Sequence, residues 1–454
     1  MVEEITYKKY YSYLFAFFYL VQGFVQGIPF LVFPPYLAKI LGNKYDIAQW
    51  LIVASIGSFP WAIKLIIGIA NDKWGSKRLG RRFPWIAGFG IFGAIWWFIM
   101  AVYLPTDETI YVYFAIYYFM TALGMAFADT ALDGLILDVT PKSKLAKVQG
   151  FTWTCLLLGM GAGGIILGLI FLSLDAIPTL FILTGVLMII ACVSPKLIKE
   201  LPYYSIKAKK FGRDVLKIFA KRKNWKVFLY VFFGAMTGLI ILRFFNYLIL
   251  ISLGVISVDN TILSIKSGNA VDLLGWDSTF YVLNGIGTII GSMTAGKYSD
   301  KNRRKSILLA YIIYMPFLII SIIPFVLMGD FALVLIYGLI GQVIFGAIQG
   351  ALVVASQTIN GDIARKEYPH LKTTYYALII SFWNGGQSFG QLTGGLLFSV
   401  LAVILFDFYV LYFILTVFCA VMLLISFVLF RSINPELYEF EHLIEGEEDK
   451  AYFA

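Results

Sequence analysis

Three charged side chains stand where the surrounding sequence has almost none. Lys64 lies in the apolar run Pro60-Trp61-Ala62-Ile63-Lys64-Leu65-Ile66-Ile67, and Asp129 and Asp133 lie in another, four residues apart. On a helix, i and i+4 share a face, so the two carboxylates project together. Lys64 precedes Asp72 by eight residues and Asp129 precedes Asp138 by nine, which places both roughly 12–13 Å inward from the same boundary at 1.5 Å per residue. A charge at such depth in lipid costs about 2.5–3.5 kcal/mol on insertion scales, so each needs a partner. One amine with two carboxylates forms a set that titrates as a unit and can take up or release a proton. The plainer alternative is a fixed Lys64–Asp129 pair that locks two helices, with Asp133 hydrated near a mouth.

Other polar groups within apolar runs mark where a solute would bind. Arg243 with Asn246 suits an anionic group, or else Arg243 pairs with Asp277 as an outer gate or snorkels outward. Gln22 and Gln26 are substrate ligands or glue between helices. Asn284, Gln349, Asn384 and Gln387 are further candidate substrate contacts, and Gln342, Gln357 and Gln391 also lie inside apolar runs. Polar groups in lipid face a bundle interior or a wet cavity.

The elements that position these residues are membrane spans. Of the 454 residues, 60% are hydrophobic and 14% charged, against about 25% charged in a soluble domain, which excludes an ordinary globular enzyme. Twelve apolar stretches are long enough to cross a bilayer: 11–33, 47–70, 84–104, 110–138, 145–172, 176–194, 226–253, 276–298, 306–328, 331–360, 371–404 and 408–430. They are numbered below as spans 1 to 12. The first is expected to be a retained helix, since it is too long for a signal core. With the N-terminus inside, 31 of the 36 Lys and Arg fall in inner segments, three in outer loops and two (Lys64 and Arg243) within spans. That bias places both termini in the cytoplasm of a cell-membrane protein. The formal charge of +9 is thus an orientation signal, and no nucleic-acid partner is implied. Three scattered cysteines and two histidines offer no metal site, no cofactor is expected, and neither a hydrolase constellation nor a nucleotide-binding P-loop is present.

The chain also repeats itself. Gly68-Ile-Ala-Asn-Asp72-Lys, followed by Arg81-Arg82, returns 228 residues later as Gly296-Lys-Tyr-Ser-Asp300-Lys, followed by Arg303-Arg304-Lys305. Spans 3, 6, 9 and 12 carry no deep polar group, as four three-helix units would require. Residues 1–194 and 226–431 are therefore read as two six-helix bundles, joined by a basic linker at 195–225 and followed by an acidic tail at 432–454. Within the linker, Phe211 to Arg222 has the composition of a basic amphipathic helix on headgroups, against the plainer reading of a topology-fixing connection. The glycine rows of spans 5 and 11 are read as close helix packing rather than hinges.

This duplicated loop resembles that of the major facilitator superfamily, which implies an all-α membrane protein of twelve transmembrane helices in two pseudo-symmetric bundles. Pro60-x-x-x-Lys64 before Asp72, Asp129-x-x-x-Asp133 with Asp138, and Thr374-Tyr375-Tyr376-Ala377-Leu378 through Asn384-Gly385 resemble the muropeptide permeases, folate–biopterin transporters and acetyl-coenzyme A transporters. Gly80-Arg-Arg-Phe-Pro84-Trp85 looks equally like the loop of cation-coupled glycoside and sucrose symporters. The resemblance implies a proton-coupled symporter for a small polar organic solute, working as a monomer in the lipid bilayer. It makes Lys64, Asp129 and Asp133 coupling residues, and Gly68, Asp72, Arg81, Arg82, Gly296, Asp300 and Arg304 an inner gate that pairs across the halves. A cation-coupled sugar symporter and a non-transporting protein on the same scaffold are the alternatives.

Overall fold

In a bilayer every backbone polar group must find its partner within the chain, which leaves helices as the economical way to cross. The computed structural model describes residues 7–433 except 74, 77, 141, 201–214, 266–269, 300–302, 328–330, 369–371 and 406. Span 1 is α1 (Tyr10–Gly27), a π-helical turn (Ile28–Val32) and α2 (Phe33–Leu41). Span 2 is α3 (Ile47–Ser58) and α4 (Pro60–Lys73). Spans 3 and 4 are α5 (Phe83–Val102) and α6 (Ile110–Val139). Span 5 is α7 (Lys142–Met160), a second π-helical stretch (Gly161–Leu167) and α8 (Gly168–Ser173), and span 6 is α9 (Ile177–Val193).

After a short helix α10 at 215–220 the second half repeats the plan. Span 7 is α11 (Arg222–Ala235) and α12 (Gly238–Ser252), followed by the hairpin β1 (Ile256–Asp259) and β2 (Ile262–Ile265). Spans 8 to 12 are α13 (Ala270–Ser299), α14 (Arg303–Ile320) with α15 (Ile323–Leu327), α16 (Phe331–Glu367), α17 (Lys372–Ile404) and α18 (Phe408–Ser432).

Among the described residues, ten helical segments are long and apolar enough to cross a membrane. Spans 2 and 8 complete the twelve. Span 2 is broken where Phe59 closes a tight turn on Ile56 and Pro60 starts the next helix, and span 8 carries Asp272 and Asp277 in its first turns. Span 1 runs further than its apolar core suggests, to Leu41. Of the linker helix envisaged over Phe211 to Arg222, residues 211–214 lie outside the described residues. The helix is interrupted at extended Lys221, and Val215 and Ile218 are buried in the protein. Asn224 Nδ2 donates to the Ile218 carbonyl at 2.6 Å, so α10 is fastened to the start of span 7.

Exposed aliphatic rows at helical spacing, such as Ile91, Ile95 and Ile99 on α5 and Val417, Val421, Leu424 and Val428 on α18, form the lipid-facing surface. Inside, small residues let helices approach. A Cβ on Gly159 would collide with the Leu20 carbonyl oxygen where α7 meets α1, and one on Gly390 with the Met236 carbonyl oxygen where α17 meets span 7. These contacts join spans 1 and 5 and, in the second half, 7 and 11, which is the packing reading of the glycine rows.

Candidate functional site

Lys64 enters the bundle just beyond the break at Phe59. Its Nζ stands 3.3 Å from Asp129 Oδ2, so spans 2 and 4 are paired at the depth their spacing requires. Asp129 is almost wholly buried, and the lysine stem passes the Trp61 ring, with Nζ 5.8 Å from its centroid. Asp133, one turn along α6, accepts a hydrogen bond from the Tyr19 hydroxyl of span 1. Gln22, three residues beyond Tyr19 on the same face, is buried alongside Asp129, and its Oε1 has no partner among the described residues. Spans 1, 2 and 4 therefore meet in one charged knot containing an amine, two carboxylates, a phenol and an amide. Gln26 continues this face of span 1 and is half-buried.

The second set lies in the other half. Arg243 Nη1 donates to Asp277 Oδ2 at 2.8 Å, Asn246 Nδ2 to Asp277 Oδ1 at 3.2 Å, and Gln342 Nε2 to Asn246 Oδ1 at 2.6 Å. Asn284 reaches the Gln342 carbonyl at 3.4 Å. Arg243 and Asn246 are thus engaged in a buried network across spans 7, 8 and 10. The arginine also crosses to the first half, where Nη2 donates to the Phe30 carbonyl at 2.8 Å. Beneath that contact is a cavity of about 70 Å³ between the halves, lined by Phe30, Trp50, Ser58 and Tyr118 on one side and Arg243 and Gln391 on the other. Asn384 Nδ2 bonds the Trp61 carbonyl at 3.1 Å and Ser58 meets Ser388 at 2.8 Å, tying span 11 to span 2. Gln387 is half-buried on the same helix, whereas Gln349 turns to the Tyr314 hydroxyl of span 9 at 3.3 Å.

At the basic end, the loop after span 2 is held inside its own half. Arg81 Nη2 and Arg82 Nε reach Asp138 Oδ2 at 2.6 and 3.1 Å, and Arg82 also bonds Asn71. Gly134, one turn from Asp138, leaves the room that Arg82 occupies. Glu200, beyond span 6, accepts the backbone N–H groups of Arg81, Arg82 and Phe83 at 2.7, 2.8 and 2.7 Å. Gly68 and Asp72 lie in α4 and Gly296 in α13, but the side chain of Asp72 and all of Asp300 are outside the described residues. Arg304 is half-buried in the first turn of α14. No cluster of His, Cys, Asp and Glu able to hold a metal occurs among the described residues.

The Major Facilitator Superfamily profile matches residues 15–327 and 248–449, nearly the whole chain. The chain belongs to the major facilitator superfamily. Its solved structural neighbours have the same architecture. One is a bacterial homologue of the human lysosomal transporter Spinster in an inward-facing, occupied conformation, with TM-score 0.64 and 15% identity over 94% of this chain and 97% of that one. Another is the nucleoside transporter NupG, with TM-score 0.61 and 13% identity over 92% and 99% of the two chains. A search of curated proteins finds no match. As a facilitator it is a multi-pass membrane transporter and not an enzyme.

Two residues outside the pattern of polar groups in apolar runs, Tyr19 and Glu200, join these candidate clusters. Tyr19 carried a readable signal, since it shares a helical face with Gln22 and Gln26 at i, i+3 and i+7. Glu200 sits among lysines in a segment whose positive charge dominates, and the pattern of the linker gives no hint of its role.

Proposed function

We propose that this facilitator is a secondary active symporter that moves a small polar organic solute by alternating access, driven by protons. The observation that carries this reading is the Lys64–Asp129 pair, with Asp133 held one turn away by Tyr19, where three spans of the first half meet. A fixed structural pair needs one acid and one base. The second carboxylate gives the knot an additional site for a proton, and both acids lie on the helix that faces Gln22 and the lysine. Protonation of the set changes what Lys64 pairs with and hence how spans 1, 2 and 4 pack, which links proton occupancy to rocking of the halves. Arg81, Arg82 and the repeated Asp300–Arg304 loop then form the inner gate, and the basic segments set the cytoplasmic end. The protein works as a monomer in the cell membrane, needs no cofactor and binds no nucleic acid.

Solute uptake into proteoliposomes under an imposed pH gradient tests this. The solutes are muropeptides, pterins, coenzyme A esters, glycosides and nucleosides, preselected by thermal shift because a bound solute stabilises the fold by mass action. Uptake that collapses with a protonophore supports the reading. Uptake that follows only a sodium gradient supports instead the second one, a cation-coupled sugar symporter, which rests on the Gly80–Trp85 loop.

A further inference from the structure

Span 1 has a gap in its hydrogen-bond ladder that its sequence forces. Within the π-helical turn the N–H of Phe33 donates to the Ile28 carbonyl. The Phe30 carbonyl would find its next donor at residue 34 in an α-helix and at residue 35 in a π-helix. Both are proline, which has no N–H. With residue 33 already committed, the carbonyl has no donor within its own helix, and in the membrane interior no bulk water replaces one. The donor it does find belongs to the opposite half. Arg243 Nη2 reaches it at 2.8 Å, with the guanidinium flanked by the Phe30 and Tyr281 rings at 5.7 and 5.8 Å.

The partners of Arg243 are unequal. Asp277 is on its own half, at 2.8 Å, and is completely buried. A charged pair of this kind is costly to break, because each partner left alone is an uncompensated buried charge. A neutral carbonyl is the weaker hold. Above it, the hairpin closes the same end with main-chain bonds: Ile47 N–H to the Thr261 carbonyl at 2.9 Å and Leu263 N–H to the Tyr45 carbonyl at 2.8 Å.

We propose that Pro34 and Pro35 make the Phe30 carbonyl a docking point for Arg243, and that this bond latches the hairpin end of the transporter shut. The proposal rests on the alternating-access reading. When the halves part, Arg243 keeps Asp277 and releases Phe30, so the latch opens at the main-chain side. The prolines favour the closed state because a carbonyl with no donor in its own helix binds Arg243 more strongly than one already engaged in the helical ladder.

The test measures separation of the halves at that end in lipid nanodiscs. Spin labels are placed at Asp107→Cys and Asp259→Cys, both exposed, in a background lacking Cys155, Cys192 and Cys419. The parent is expected to give one short distance. Pro34→Ala with Pro35→Ala restores N–H donors for Phe30 within the helix, so a longer population should appear. Arg243→Gln with Asp277→Asn removes the latch without leaving a lone buried charge and should shift the distances the same way. Parent-like distances in both variants, each eluting as a folded species, overturn the proposal. If the proline variant does not fold, the Arg243 variant alone decides. No gradient or solute enters the measurement, so this result is independent of whether proton-driven uptake is found.

Discussion

Lys64 and Asp129 meet across spans 2 and 4 at 3.3 Å, deep in the first bundle, while Asp133 turns one helical step away to Tyr19. The amine therefore pairs with one carboxylate while a phenol holds the other, and the proposed coupling rests on that asymmetry. Removing Lys64 leaves Asp129 unpaired in a buried setting. Lys64→Met is expected to abolish gradient-driven uptake and to lower thermal stability, a broken buried pair costing about 3–5 kcal/mol. Lys64→Met with Asp129→Asn should recover much of the stability and none of the uptake. Wild-type uptake by the folded double variant removes the pair from the mechanism.

Tyr19 supplies the donor that holds Asp133 toward span 1. Tyr19→Phe keeps the ring, which is buried, and deletes only the hydroxyl. A hydrogen bond to a charged group contributes about 1.5–3 kcal/mol to stability, so the melting temperature should fall, and uptake should fall with it as Asp133 loses its tether to span 1. The pH profile of uptake should move as well, because the partner of a titrating carboxylate has changed. An unaltered profile with unaltered rate would make Tyr19 simple packing.

The glycine row of span 5 separates packing from flexibility within three residues. Gly159 faces α1 so closely that a Cβ would strike the Leu20 carbonyl, whereas a Cβ on Gly161 meets no atom within 4 Å. Gly159→Ala should therefore reduce the yield of monodisperse protein and its melting temperature, since overpacking costs typically 1–3 kcal/mol. Gly161→Ala should leave both near the parent. If the two behave alike, the contact between α1 and α7 is not what positions Tyr19 and Gln22.

Much of this arrangement was legible in the sequence because a membrane restricts what a chain can do. Apolar length identified the spans, and the loop repeated after 228 residues gave the two-half plan. Residue spacing put Lys64 and Asp129 at one level, where the structure pairs them. The pairing of Arg243 with Asp277 was equally visible as one of three readings. What stayed hidden was contact set by backbone detail. The break at Phe59 and the π-helical turn at Ile28–Val32 lie inside unbroken apolar runs. The hairpin between spans 7 and 8 is four residues per strand, too short for its alternation to stand out. Gln349, polar and deep like the others, bonds Tyr314 of span 9 because helical phase, and not depth, decides which way a side chain points.

Glu200 shows how a single acid outside the repeated motif can hold it in place. Its carboxylate collects the N–H groups of Arg81, Arg82 and Phe83, which head α5 and have no partners of their own within that helix. Gly80 turns the chain there with φ of +91°, a conformation open to glycine, and a Cβ at this position would press on the Glu200 carboxylate. Glu200→Ala should destabilise the protein by about 1–2 kcal/mol, the range for losing a helix cap. Gly80→Ala carries both backbone strain and the collision. In the Glu200→Ala background the collision is gone and only the strain remains, so the two substitutions should be less costly together than the sum of each alone. A double-mutant cycle on the purified transporter measures that coupling. Strict additivity would show that the carboxylate and the turn do not act on each other, and that the loop holds its shape through Arg81, Arg82 and Asp138 alone.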